Sequence, residues 1–251
     1  MAWYLEVRES AVEQAQHNSP IYQKDFADEY LAKTFWIKGR ALAMVVKNLA
    51  GFDVPLLFEI DGNRIYMEHV RYENTLAVLW QSKDERVEQI AFKCGELLAT
   101  IHGSNILDTS EYSGLSNNIP TKMIHADFGI GNLLMQDNGQ ICILDWTSPP
   151  WQKIMTQHLR GTDTDFLTFV ISVIDSLSWR THAIKYMNQT ILRFCEGYKS
   201  ISSNNTISIG TLFVLYLNLL IFRGNRIRTL IRAPYYLFFF VRLYSDLRKY
   251  R

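Results

Sequence analysis

The segment that decides the reading runs Met123-Ile-His-Ala-Asp-Phe-Gly-Ile-Gly-Asn-Leu-Leu-Met-Gln-Asp-Asn-Gly-Gln-Ile-Cys-Ile-Leu-Asp-Trp146. It carries His125, Asp127, Asn132 and, eighteen residues after Asp127, Asp145. Two short apolar runs, Met123–Ile124 and Ile141–Leu144, read as strands, and Asn138-Gly139 reads as the turn ahead of the second. Asn132 lies five residues past Asp127, where a tight loop can turn its amide oxygen back toward a cation. Asp145 follows the second apolar run and can bring its carboxylate to the same cation. Such a pair supplies only oxygen donors, the kind magnesium takes together with a substrate's phosphates. Gly129 and Gly131 form no dinucleotide fingerprint, because no third glycine follows at the required place.

Working outward, the first third reads as strands with one helix. Ile21–Asp25 and Tyr30–Phe35 have the length and alternation of short strands, joined by a polar turn at Ala27–Glu29. Ala41–Leu49 reads as a helix closed at Gly51. Pro55–Ile60 and Arg64–Val70 flank Asp61-Gly62-Asn63, a strong hairpin signal. Beyond them the chain turns helical. Val87, Ile90, Ala91, Cys94, Leu97, Leu98 and Ile101 fall on one face of a helix over Glu85–His102. The Ser-, Asn- and Gly-rich stretch Gly103–Pro120 reads as a loop. Further helices are expected over Thr164–Leu177, His182–Tyr198, Ile209–Phe222 and Tyr235–Lys249. A sheet-rich part thus precedes a helical part, an α+β chain.

The form H-A-D-F-x-x-x-N-L-L followed by I-L-D-W resembles the aminoglycoside phosphotransferase and choline-kinase branch of the protein-kinase-like fold. The resemblance implies a two-lobed α+β fold, with an N-lobe over 1–69 and a helical C-lobe over 70–251. It implies ATP- or GTP-dependent transfer of a phosphoryl group to a hydroxyl of a small molecule: an aminoglycoside, another sugar or an amino alcohol. Asp127 would accept or orient the hydroxyl, and Asn132 and Asp145 would hold Mg2+. His125 would brace the loop. Tyr30-Leu-Ala-Lys33-Thr-Phe35 looks like the strand bearing the phosphate-binding lysine, with Lys38 and Lys47 as competitors. The backbone of Glu68, His69 and Val70 would meet the adenine edge. Thr164-Asp165-Phe166-Leu167 resembles the structural Asp-Leu step that opens the next helix.

Two departures stand out. Residues 1–38 contain no glycine, so a turn near His17-Asn18-Ser19, with Ser19 and backbone N–H groups as donors, would cover the phosphates. No acidic residue lies between Lys33 and Asp53, and Leu42 stands where the family places the lysine's glutamate partner. That departure keeps a second reading open, a pseudokinase that binds nucleotide or a partner as a scaffold.

Composition adds bounds. At 251 residues with 48% hydrophobic content the chain has ample material for a packed core. Net charge is +1, but residues 207–251 hold eight bases and one acid. This basic tail suits a solvated face, an anionic substrate or peripheral membrane contact, and it keeps a third reading open, a kinase of a membrane glycolipid. No nucleic-acid partner is expected. Three cysteines without short spacings, and a charged N-terminal decapeptide, point to a reducing cytoplasm.

Overall fold

The computed structural model describes residues 20–104, 123–146, 161–176 and 183–202, with 234, 237–238 and 241–246 near the C-terminus. The expected helix over Ile209–Phe222 lies outside the described residues. Of the one over Tyr235–Lys249, residues 237–238 and 241–246 are described and helical. The chain is α+β and divides into two compact units. One comprises 1–75, 104–123 and 132–147; the other comprises 76–103, 124–131 and 148–251.

Among the described residues, the first unit holds every strand. Strand β1 (Ile21–Asp25) ends at Phe26, and helix α1 (Glu29–Val46) begins after Asp28. The sequence predicts a strand over Tyr30–Phe35 and a helix only from Ala41, and the structure corrects this. Asp28 is an N-cap, its carboxylate accepting the N–H of Leu31 at 2.8 Å, and Glu29 favours the first turn. The polar Ala27–Glu29 stretch is therefore a helix start rather than a hairpin turn. Ala32, Phe35, Gly39, Leu42 and Val46 then recur every three or four residues and form the buried face.

Strands β2 (Phe52–Asp53), β3 (Leu57–Asp61) and β4 (Arg64–Glu68) follow. As expected, β3 and β4 form a hairpin through Gly62, whose φ of +56° is cheap only for glycine. β1 pairs antiparallel with β4, giving the order β1-β4-β3. Asn63 ties the hairpin tip to β1: its side-chain amide donates to the Phe26 carbonyl, and its own carbonyl accepts the Phe26 N–H. A second sheet joins β5 (Asn74–Thr75), β6 (Leu133–Met135) and β7 (Ile141–Ile143) with β2, in the order β2-β7-β6-β5. β6 and β7 turn through Gly139 at φ +79°. The expected strand at Met123–Ile124 is not formed; that stretch has no regular structure.

The second unit is helical: α2 (Leu76–Ser82), α3 (Val87–Gly103), α4 (Gly161–Asp175) and α5 (Ala183–Ile201). α3 and α5 cross at glycines on both sides. A Cβ at Gly95 would lie 2.0 Å from the Phe194 carbonyl oxygen, and one at Gly197 would lie 1.9 Å from that of Phe92. An aromatic core gathers around the crossing: Phe169 stacks on Phe194 at 3.9 Å, and Phe128 and Phe166 lean against the same ring. Trp80 stacks on Tyr186 at 4.1 Å and donates its indole N–H to the Val173 carbonyl. Among the described residues no helix is long and apolar enough to cross a membrane.

Two outcomes follow from this packing. Gly95→Ala drives a methyl into backbone and should cost about 3 kcal/mol or more. Gly103→Ala, with nothing within 4 Å of its Cβ, should be neutral or stabilise by up to about 1 kcal/mol; urea unfolding of both variants checks the contrast. Cys94, Cys142 and Cys195 are buried free thiols, and burial pushes all three up, Cys195 to about 12. A thiol reagent at neutral pH should titrate none of them quickly in the native protein and all three in denaturant.

Candidate functional site

Asp165 is fully buried near the start of α4. Its carboxylate accepts the backbone N–H groups of His125 at 2.7 Å and Ala126 at 2.6 Å. A carboxylate only accepts, so the Nε2–H of His102 donates to it as well, at 3.0 Å. The other ring nitrogen of His102 meets the Tyr198 hydroxyl at 2.8 Å, and burial pushes that phenol up to about 12. These bonds hold Ala126 at φ +81°, a left-handed conformation that costs a non-glycine residue roughly 1–2 kcal/mol. The strain is offset by two charge-assisted hydrogen bonds.

Asp127 follows directly. Its N–H donates to Nδ1 of His125 at 3.2 Å, and its carbonyl accepts the Gly129 N–H at 2.7 Å. His125 is buried edge-on to Phe128, so it braces the loop as the sequence predicts. The Ile130 N–H is taken by the Ser172 hydroxyl of α4 at 3.0 Å. The loop that presents Asp127 is thus pinned to α4 at both ends. Asp127 itself is only half-buried.

The first unit contains a cleft of about 270 Å³, near the lower end of the range for small-molecule sites. Its lining includes Lys24, Glu68, His69, Val70, Asn132 and Asp145. Five of these six are residues the sequence nominates. Asn132 and Asp145 reach it from the starts and ends of neighbouring strands, joined where the Leu144 N–H donates to the Asn132 carbonyl at 2.8 Å. Asp145 sits at φ +54°, which turns its side chain out of line with β7. Val70 packs with Leu134, Cys142 and Leu144 as an apolar surface on the same side. The edge Glu68–Val70 is anchored: the N–H groups of Glu68 and His69 donate to the carbonyls of Leu56 and Pro20.

The lysine in this cleft is Lys24, not Lys33. Lys24 is ion-paired with Asp145 and projects from β1, two residues on from Tyr22, which lines the same cleft. Lys33 sits exposed on α1 and lines a separate depression with Glu29, Trp36, Ile37, Ile60 and Gly62. The expected role for Lys33 depended on a strand that is in fact helix. Lys38 is buried on α1 and donates to the Trp146 carbonyl at 3.2 Å; Lys47 follows the end of that helix. Ser19 lies outside the described residues. Sequence reasoning missed Lys24, Tyr22, Phe35, Met67, Tyr72, Leu134 and Leu144. The available signal was the Asp28 cap, which moves the lysine-bearing strand one element earlier.

Asn132 and Asp145 offer an amide oxygen and a carboxylate within one cleft, a donor set that fits magnesium with part of its shell left to water or phosphate. A scan against protein-family models gives no match, and a search of curated proteins returns no significant relative.

The Asp165 contacts set a stability expectation. Asp165→Asn keeps shape but turns one N–H acceptor into a donor, leaving a buried clash of donors. It should cost about 3 kcal/mol in urea unfolding. It should also speed proteolytic cutting between residues 123 and 131, which a surface carboxylate would not do.

Proposed function

We propose that the protein is a small-molecule phosphotransferase, moving the γ-phosphoryl group of ATP or GTP to an alcohol such as an aminoglycoside, another sugar or an amino alcohol. On this reading the fold is two-lobed and protein-kinase-like, divided near residue 70, and works in a reducing cytoplasm. One observation carries it. A lysine, a carboxylate, an amide oxygen and a backbone edge line a single cleft, although Lys24 and Asp145 lie 121 residues apart in sequence.

Each group has a physical task. Phosphoryl transfer requires alignment and neutralisation of charge more than covalent help. The Lys24 ammonium would bind phosphate oxygens of the nucleotide. Asn132 and Asp145 would hold Mg2+, which when bound neutralises the phosphates. Glu68–Val70 would meet the base: the amides of Glu68 and His69 are engaged by neighbouring backbone, so Val70 would be the donor of this edge. The apolar surface of Leu134 and Leu144 suits a flat ring. Asp127, three residues ahead of the 3₁₀ turn Ile130–Asn132 and five ahead of Asn132 itself, would orient the acceptor hydroxyl and receive its proton.

The scaffold reading keeps one observation in its favour. The only acid of α1, Glu29, lines the Lys33 depression, so the helix offers Lys24 no carboxylate.

Thermal-shift titration with nucleotide and magnesium tests what both readings share, since a ligand bound only by the native state raises the melting point, and single-turnover transfer separates them. Lys24→Met should weaken nucleotide binding roughly 10- to 100-fold, the worth of hydrogen bonds to a charged group, while Lys33→Met leaves it unchanged. Asp127→Asn should leave affinity nearly intact and cut single-turnover transfer roughly 10²–10⁴-fold. Asp145→Asn should lower both, and its binding defect should appear only with magnesium present. Absence of any shift at millimolar nucleotide would sink the enzyme and nucleotide-scaffold readings together.

A further inference from the structure

Lys24 is ion-paired with Asp145 across the cleft, while the helix beside it supplies no carboxylate. What α1 does supply is Phe35. The Lys24 ammonium lies 4.9 Å from the centroid of the Phe35 ring and 5.7 Å from that of Phe26. The two rings tilt against each other at 5.1 Å and 53°. Both distances are within the range where a cation is drawn to the face of a ring.

Phe35 is held in place from every side. It is fully buried and stacks on Trp146 at 4.4 Å and 25°. The Trp146 indole N–H donates to the Phe35 carbonyl at 2.7 Å, and the Lys38 ammonium, one turn along α1, donates to the Trp146 carbonyl at 3.2 Å. Gly39 lets the indole lie flat on the helix, because a Cβ there would be 2.4 Å from its ring. The same contacts therefore fix the ring under Lys24 and the residue that follows Asp145.

We propose that Phe35 is a positioning residue for Lys24, a π-face in the place where a helix carboxylate would otherwise orient it. The inference rests on the nucleotide reading above. The chemistry differs in one respect. A carboxylate neutralises the ammonium it holds and competes with phosphate for it. A ring face attracts the ammonium through its quadrupole and leaves the full positive charge for an anionic ligand. Lys24 could then turn from Asp145 toward a nucleotide's phosphates without leaving its aromatic seat, and Asp145 would be left to hold a metal ion.

The test uses the full-length protein and ATP with magnesium. Phe35 is replaced in turn by mono-, di- and trifluorophenylalanine, which preserve shape while draining negative potential from the ring face. Affinity should fall stepwise with each fluorine, reaching roughly 3- to 30-fold in total. The melting point without ligand should stay nearly constant through the series. The series is repeated in Lys24→Met, where the gradient should vanish, because the effect passes through the ammonium. A flat series in the Lys24 protein overturns the proposal, as does an equal gradient in both backgrounds, while the nucleotide reading stands. Failure of the unsubstituted protein to bind any nucleotide overturns the reading itself, and the proposal with it.

Discussion

A single buried carboxylate sets the local order of the helical unit. Asp165 has no exposed surface, yet it accepts hydrogen bonds from two consecutive backbone amides and from an imidazole. Desolvating a charge is costly, and only full satisfaction of its lone pairs makes such burial tolerable. The loop from Met123 to Gly131 has almost no ladder bonds of its own. Four of its backbone donors, those of His125, Ala126, Asp127 and Ile130, go to side chains: Asp165 and Ser172 of α4, and His125 within the loop. α4 thus serves as a template for a segment that would otherwise have no fixed conformation. The left-handed Ala126 is the visible sign of that imposed shape.

The sheet unit solves a similar problem with different chemistry. Asp145 is also left-handed, but it sits at a half-exposed position and faces a cleft. Its neighbour Trp146 carries the anchoring: stacked on Phe35, hydrogen-bonded to α1 in both directions, and seated on Gly39. A residue whose side chain faces a cleft cannot also be packed tightly. The adjacent indole takes over that function, and the short link between them conveys the constraint.

The sequence made some of this legible and hid the rest, for physical reasons. The β3–β4 hairpin followed from Asp61-Gly62-Asn63, and α3 from seven apolar residues at helical spacing, because both are local signals. The pairing of Asn132 with Asp145 was readable through motif spacing, and Glu68–Val70 only through the family resemblance. Tyr30–Phe35 alternates much as a strand does and so nominates Lys33, with Lys38 and Lys47 as competitors, while Lys24 lies outside that stretch. Residues on α1 alternate and recur at three-residue steps at once, and only the cap distinguishes the two periods. The aromatic seat of Lys24 had no local signature. It brings together residues 24, 26, 35 and 146, and no periodicity along the chain encodes a contact between β1, α1 and the end of β7.

The paired glycines where α3 meets α5 have a mechanical consequence. Helices packed through ordinary side chains can slip by one turn, about 5.4 Å, trading one set of ridges and grooves for the next. Here such a slip would bring Ala91 or Ala99 to the place of Gly95, and Arg193 or Ile201 to that of Gly197. Every one of those residues carries a Cβ where only backbone fits. The crossing is a rivet rather than a sliding joint, and any rearrangement of this unit has to carry the two helices as one rigid piece.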